Sequence, residues 1–307
     1  MLQLILLAAI VFEILAYWVL GIYFRNRGVD WLVILPAIGV VAVTLRLLMA
    51  VPSFVLSGAF RVRDRQQQPW GNALYALANE IDARAVSLSF AEPFHQLLMR
   101  QESAGANKGL PILLVHGYFS NRGIWWRFRR HLMAADASSS LGPIYTVSLS
   151  PLWGGLDEMV VSLGIKIDAI CDETGHQQCV VVAHSMGGLV TRAYMAKFVV
   201  ASRVARFITL GSPHGGTQMS SYGVGQCVGE MRVKSAWLAA LERAESHIPH
   251  PPTLSIYTLN DDLVYPPESA RLAWAENMPV AGTGHVGLLF SKKIAGRVAH
   301  QIVADVK

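Results

Sequence analysis

The stretch Cys179-Val180-Val181-Val182-Ala183-His184-Ser185-Met186-Gly187-Gly188-Leu189-Val190 decides how the rest of the chain is read. An apolar, β-branched run of strand length ends at a serine, and beyond two glycines the apolar residues Leu189, Val190, Ala193 and Tyr194 recur at helical spacing. A strand therefore turns sharply into a helix at Ser185. On such a turn the hydroxyl projects beyond the sheet edge, and the first N–H groups of the following helix have no intrahelical acceptor. The turn is crowded and needs small neighbours, which Ala183 and Gly187 supply two residues to either side.

Outward from this turn the same rhythm continues. Strands are predicted at residues 111–117, 144–149, 206–210 and 254–258, each a short apolar run. Between them Val160, Leu163, Ile167 and Ile170 recur at helical spacing, and a terminal helix over residues 292–306 carries Ile294, Val298, Ile302 and Val303 on one side. Alternation of this kind predicts an α/β fold, a mostly parallel sheet with crossover helices on both faces. The 307 residues leave ample room for one large core.

The strand, Ser185 and the helix resemble the nucleophile elbow G-x-S-x-G of the α/β-hydrolase superfamily, with Ala183 standing for the first glycine. Upstream, residues 111–117 end in His116-Gly117. Downstream, Gly211-Ser212-Pro213-His214-Gly215-Gly216-Thr217 looks like the G-[AST]-P-H-x-G-[ST] segment of lipases. Together the three motifs resemble triacylglycerol lipases and the related esterases that remodel lipid anchors, over residues 111–307. The resemblance implies an α/β-hydrolase fold with Ser185 as nucleophile and the N–H groups of Tyr118 and Met186 as the oxyanion hole. Its partners follow in the order acid, then histidine. By the lipase register Asp261, in Leu259-Asn260-Asp261-Asp262-Leu263-Val264, is the acid, with Asp262 as the alternative. His285, flanked by Gly284 and Gly287 before the terminal helix, is the base. His116 and His214 are expected to be structural. An insertion over residues 218–252 is expected to form a lid or acyl-pocket wall. The activity implied is hydrolysis of a lipid or other hydrophobic ester through an acyl-enzyme, with no metal and no organic cofactor. The same acyl-enzyme would serve an acyltransferase, and a hydrolase fold kept as a non-catalytic interaction surface is the third reading.

Hydrophobic residues make up 52% of the chain and charged ones 15%, and the apolar excess is concentrated at the N-terminus. Residues 2–24 are apolar except for Gln3 and Glu13, and residues 31–51 except for Thr44 and Arg46. Each run is long enough to cross a hydrocarbon core of about 30 Å. The rival is a cleaved signal peptide, but Met1-Leu2-Gln3 offers no positive charge and the first run is too long for one. The expectation is a two-helix membrane hairpin over residues 1–52, a joining segment with helical periodicity over residues 53–109, and a hydrolase domain over residues 110–307. Tyr17, Trp18, Tyr23 and Trp31 cluster where rings favour the membrane interface. Glu13 and Arg46 either pair inside the hairpin or Arg46 snorkels to the interface. Arg25 and Arg27 favour a cytoplasmic link, whereas Arg61, Arg63 and Arg65 outnumber them and favour a cytoplasmic catalytic domain.

Cys171, Cys179 and Cys227 lack metal-ligand spacing, and the first two are expected in the core rather than in a bridge. The net charge of +5 suits a protein beside anionic lipid, and no basic-aromatic cluster points to nucleic acid.

Overall fold

The computed structural model describes residues 1–60, 70–99, 109–136, 140–198 and 203–303. Arg61, Arg63 and Arg65, residues 100–108 and residues 304–307, into which the predicted terminal helix extends as far as 306, lie outside the described residues.

The apolar N-terminus forms two helices, α1 (Leu2–Arg25) and α2 (Trp31–Phe60), each long and apolar enough to cross a membrane. Their surfaces are exposed almost all round; Phe12 and Leu32 are 74% and 84% accessible, which no water-soluble core helix would tolerate. Arg46 reaches Glu13 with both terminal nitrogens, Nη2 at 2.9 Å from Oε2, and the Tyr17 hydroxyl donates to the same carboxylate. Pairing, rather than snorkelling, is the arrangement found. The second helix does not stop at Val51 but runs through Pro52 to Phe60. Its last turns are held from outside: Ser53 and Ser57 are buried, and α2 lies against the next helix, α3 (Trp70–Val86).

A π-helical turn (Ser87–Ala91) and the single turn α4 (His95–Leu98) lead to the sheet. Its strands are β1 (Ile112–Val115), β2 (Ile144–Val147), β3 (Cys179–His184), β4 (Val204–Leu210), β5 (Thr253–Thr258) and β6 (Glu276–Val280). All pairings are parallel, in the order β2-β1-β3-β4-β5-β6. Every residue of β1, β2 and β3 is buried, because helices cover both faces and the strands are apolar on both. On one face α6 (Leu156–Thr174) and α7 (Met186–Lys197) enclose Leu163, Ile167, Val181 and Leu189. On the other, α5 (Trp126–Ala135) and α10 (Lys292–Val303) enclose Trp125, Phe128, Val182 and Val298. The three cysteines are free and buried.

Register positions the site. Val115 pairs with Ala183, and Ala183 with Thr209, so β1, β3 and β4 end together and the loops after them converge at one edge. Ligands of open parallel sheets bind at the carboxyl ends of the strands.

Candidate active site

Ser185 is the single residue between β3 and α7, with φ 55° and ψ −129°. A side chain with a Cβ reaches this region only at a cost of roughly 1–3 kcal/mol, and the surroundings must impose it. They do so through two backbone hydrogen bonds: Ser185 N–H donates to Leu210 C=O at 2.9 Å, and Gly188 N–H donates to Ser185 C=O at 3.0 Å. Gly187 is required because a Cβ there would lie 2.6 Å from the His116 carbonyl oxygen. The loop after β1 passes directly over the serine, since a Cβ on Gly117 would sit 2.7 Å from that of Ser185. His116 holds this loop. Its Nε2 accepts from Leu149 N–H and its Nδ1 meets Gly117 C=O, both at 2.8 Å, and burial pushes its pKa down to about 4.

The loop after β5 carries the two adjacent aspartates, and they face different ways. Asp261 Oδ1 accepts from the N–H groups of Leu263 and Val264 at 2.9 and 2.7 Å, while Oδ2 stands 3.0 Å from His285 Nδ1. Asp262 turns to the opposite side and binds Ser53 and Arg84. Both members of the Asp261–His285 pair are buried. Burial disfavours the imidazolium of His285, but Asp261, helped by Glu80 and Asp262, outweighs it and raises the pKa above the ordinary value. With Nδ1–H directed at Asp261, Nε2 of the neutral ring is an acceptor.

Ser185 and His285 line one cavity of about 490 Å³. Its walls are mainly apolar and include Leu88, Met219, Val224, Val228, Met231 and Val264. Tyr118 lies beside Gly117 on the cavity wall, and its hydroxyl donates to Val224 C=O at 2.7 Å and accepts from Val224 N–H at 3.1 Å. Met186 is the first residue of α7, so its N–H has no intrahelical acceptor. Residues 218–252 divide in two. The part through Met231, with α8 (Gln226–Glu230), walls the cavity. The part with α9 (Ala236–Glu245) sits on α7, where Arg192 and Glu245 form a buried ion pair. His214 stays out of the cavity; its Nε2 lies 3.1 Å from Thr209 Oγ1, and Arg192 donates to its carbonyl. Among the described residues no group of three histidine, cysteine or acidic side chains is placed to hold a metal ion.

The sequence pattern of the alpha/beta hydrolase family matches residues 112–298, well over half of the chain. The chain belongs to the alpha/beta hydrolase family. Among solved structures it is similar to lipase BlEst2 of Bacillus licheniformis in its mature form, at 17% identity and a TM-score of 0.54, over 66% of this chain and 96% of that one. It is also similar to lipase B of Aspergillus fumigatus, at 18% identity and a TM-score of 0.55, over 65% of this chain and 54% of that one. At these identities the likeness is one of fold.

Around the hydrolase core the structure brings in residues to which the sequence motifs assign no role. His184 Nε2 lies 3.2 Å from His285 C=O, with the two rings 4.6 Å apart; burial first, and then the neighbouring His285, keep its pKa well below the usual value. Glu92 reaches the cavity and accepts from Asn121 N–H at 3.1 Å, and burial pushes its pKa up to about 8. Glu80 and Arg84, on α3, contact the loops of His285 and Asp262 from outside the matched residues. Their i,i+4 spacing is the one trace they leave in the sequence, and it reads equally well as a solvated helix face.

Proposed function

We propose that this hydrolase cleaves carboxylic esters, of lipids or other hydrophobic acyl compounds, with Ser185 as nucleophile and an acyl-enzyme intermediate. The observation that carries the reading is the strained Ser185 turn sharing an apolar cavity with a buried Asp261–His285 pair. A serine hydroxyl is a weak nucleophile at neutral pH and needs a base. His285, oriented by Asp261, takes the Ser185 proton as the oxygen attacks the ester carbonyl. The N–H groups of Tyr118 and Met186 hold the oxyanion, and His285 then gives its proton to the leaving alcohol. Water, activated by the same histidine, attacks the acyl-enzyme and releases the acid. No metal or organic cofactor enters any of these steps.

The hydrophobic substrate class is supported by the apolar lining of the cavity and by the two exposed helices, which we read as a membrane anchor with the catalytic domain on the cytoplasmic side. The two similar structures are named as lipases, in keeping with an ester substrate.

Turnover of p-nitrophenyl butyrate by the detergent-solubilised chain tests the reading. Hydrolysis by the wild type, lost in Ser185→Ala with an unchanged melting temperature, is expected. Equal turnover by both proteins would refute it.

A further inference from the structure

The glycines on either side of His285 have a structural cause in α3. A Cβ on Gly284 would lie 2.5 Å from Glu80 Oε2 and 2.7 Å from Glu80 Cβ, and one on Gly287 would lie 1.9 Å from Asn79 Oδ1. The helix is therefore pressed against the backbone of the histidine loop, and it makes specific bonds there. Glu80 Oε1 accepts from Val286 N–H at 3.1 Å and Oε2 accepts from Gly287 N–H at 2.8 Å, so one carboxylate grips the two peptide groups that follow His285. Asn79 Oδ1 accepts from the Thr283 hydroxyl at 3.1 Å on the other side of the histidine.

The same carboxylate is tied to the acid loop. Arg84, one helical turn on, donates from Nε to Glu80 Oε1 at 2.8 Å and from Nη2 to Asp262, the neighbour of the acid that faces His285. Glu80 and Asp262 are wholly buried, and Ser53 of α2 closes the cluster over Asp262. Two buried carboxyl groups, Glu80 and Asp262, sharing the guanidinium of Arg84 form a costly arrangement for a mere joining helix. Leaving any member unpaired is strongly destabilising, and an apolar core would serve stability as well. What the cluster achieves is geometric: it fixes the two loops that carry His285 and Asp261 to one rigid helix.

We propose that Glu80 is a positioning residue for His285: its carboxylate holds the Val286–Gly287 peptide groups, and through Arg84 and Asp262 it locks the histidine loop to the acid loop. The catalytic apparatus would then extend into a helix that lies before the hydrolase core. The proposal rests on the triad reading of Ser185, Asp261 and His285. Glu80 also adds negative charge near the imidazole, alongside Asp261; burial pushes the pKa of the neighbouring Asp262 up to about 7, so its charge there is partial, while His184 faces the ring from β3 and Arg84 offsets the carboxylates. Loss of that charge lowers the histidine pKa, because the imidazolium loses a stabilising neighbour. A base acts in its neutral form, so the acid limb of the pH–rate profile moves to lower pH in Glu80→Gln. Misplacement of the ring lowers kcat at the plateau by about 10- to 100-fold.

The experiment compares wild type, Glu80→Gln and Glu80→Asp as full-length chains in detergent micelles. It reads kcat and KM for p-nitrophenyl butyrate against pH, together with the ring titration of His285 by NMR, which needs no substrate. The expected result for Glu80→Gln is a lower kcat, a KM within about two-fold of wild type, and a lower midpoint for both the acid limb and the ring. Glu80→Asp keeps the charge and withdraws it by one methylene, so its midpoint returns toward wild type while kcat stays reduced. A folded Glu80→Gln with wild-type kcat and midpoint overturns the proposal. Should that variant fail to fold, wild-type kcat in Glu80→Asp overturns it instead. If the wild type itself does not hydrolyse esters, the triad reading fails while the ring midpoint still decides whether Glu80 governs His285.

Discussion

At the scale of single residues, the adjacent acids Asp261 and Asp262 are separated by the direction in which each carboxylate points. In the sequence only the resemblance to the lipase register favours Asp261, with Asp262 as the alternative, since neighbours in a loop differ only in orientation, and orientation is set by partners far away in the chain. Asp261 takes two backbone N–H groups and His285; Asp262 takes Ser53 and Arg84. Asp261→Asn should therefore reduce kcat by about 10⁴-fold, because the amide favours the wrong imidazole tautomer. Asp262→Asn should reduce it far less, as read by ester turnover at pH 8. Glu92 gives a second prediction, on stability. Its carboxyl ionises near 4.5 when unexposed to the fold but holds its proton to about 8 inside it. Its contribution is complete below pH 4.5 and is lost as pH rises toward 8, where the unfolded chain gains by ionising and the folded one cannot. Glu92→Gln has no proton to lose and keeps an acceptor for Asn121. Its melting temperature should rise relative to wild type between pH 5 and pH 8; a constant difference across that range would contradict the burial argument.

At the scale of elements, legibility followed locality. β3, the turn at Ser185 and α7 are written in one unbroken stretch, Cys179 to Lys197, and β1, β2, β4 and β5 are short apolar runs that need no partner to be recognised. β6 carries no such signal. It is an edge strand with Glu276, Asn277 and Pro279 in five residues, half exposed, and it forms because β5 offers it a template. The role of α3 was equally hidden, since Glu80 meets its partners more than two hundred residues away. In the hairpin, the Glu13–Arg46 pair is a further test at this scale. Removing one charge leaves the other uncompensated in an apolar setting, whereas removing both leaves two ordinary apolar helices. Glu13→Leu should lower the yield of membrane-inserted protein, and the double change with Arg46→Leu should restore it. Equal yields for all three would show that the pair has no part in insertion.

At the scale of the whole molecule, the two exposed apolar helices touch the hydrolase core directly. Ser53 of α2 reaches Asp262, and Gln3 of α1 donates to Pro93 C=O at 2.9 Å, just beyond the π-helical turn whose Leu88 lines the cavity. The hairpin base and the cavity wall are thus neighbours. The full-length chain should remain in the membrane fraction through carbonate washing, and recovery in the soluble fraction would contradict the anchor. A chain beginning at Trp70 keeps every residue of the proposed triad but loses the cap over Asp262, so it should hydrolyse soluble esters with reduced stability. The central claim, that Ser185 is an activated nucleophile, is tested most directly by fluorophosphonate labelling of the full-length protein followed by mass spectrometry of its peptides. The account predicts one adduct, on Ser185, that is absent from Ser185→Ala and strongly slowed in His285→Ala; an unlabelled wild type, or an adduct that persists in Ser185→Ala, would contradict it.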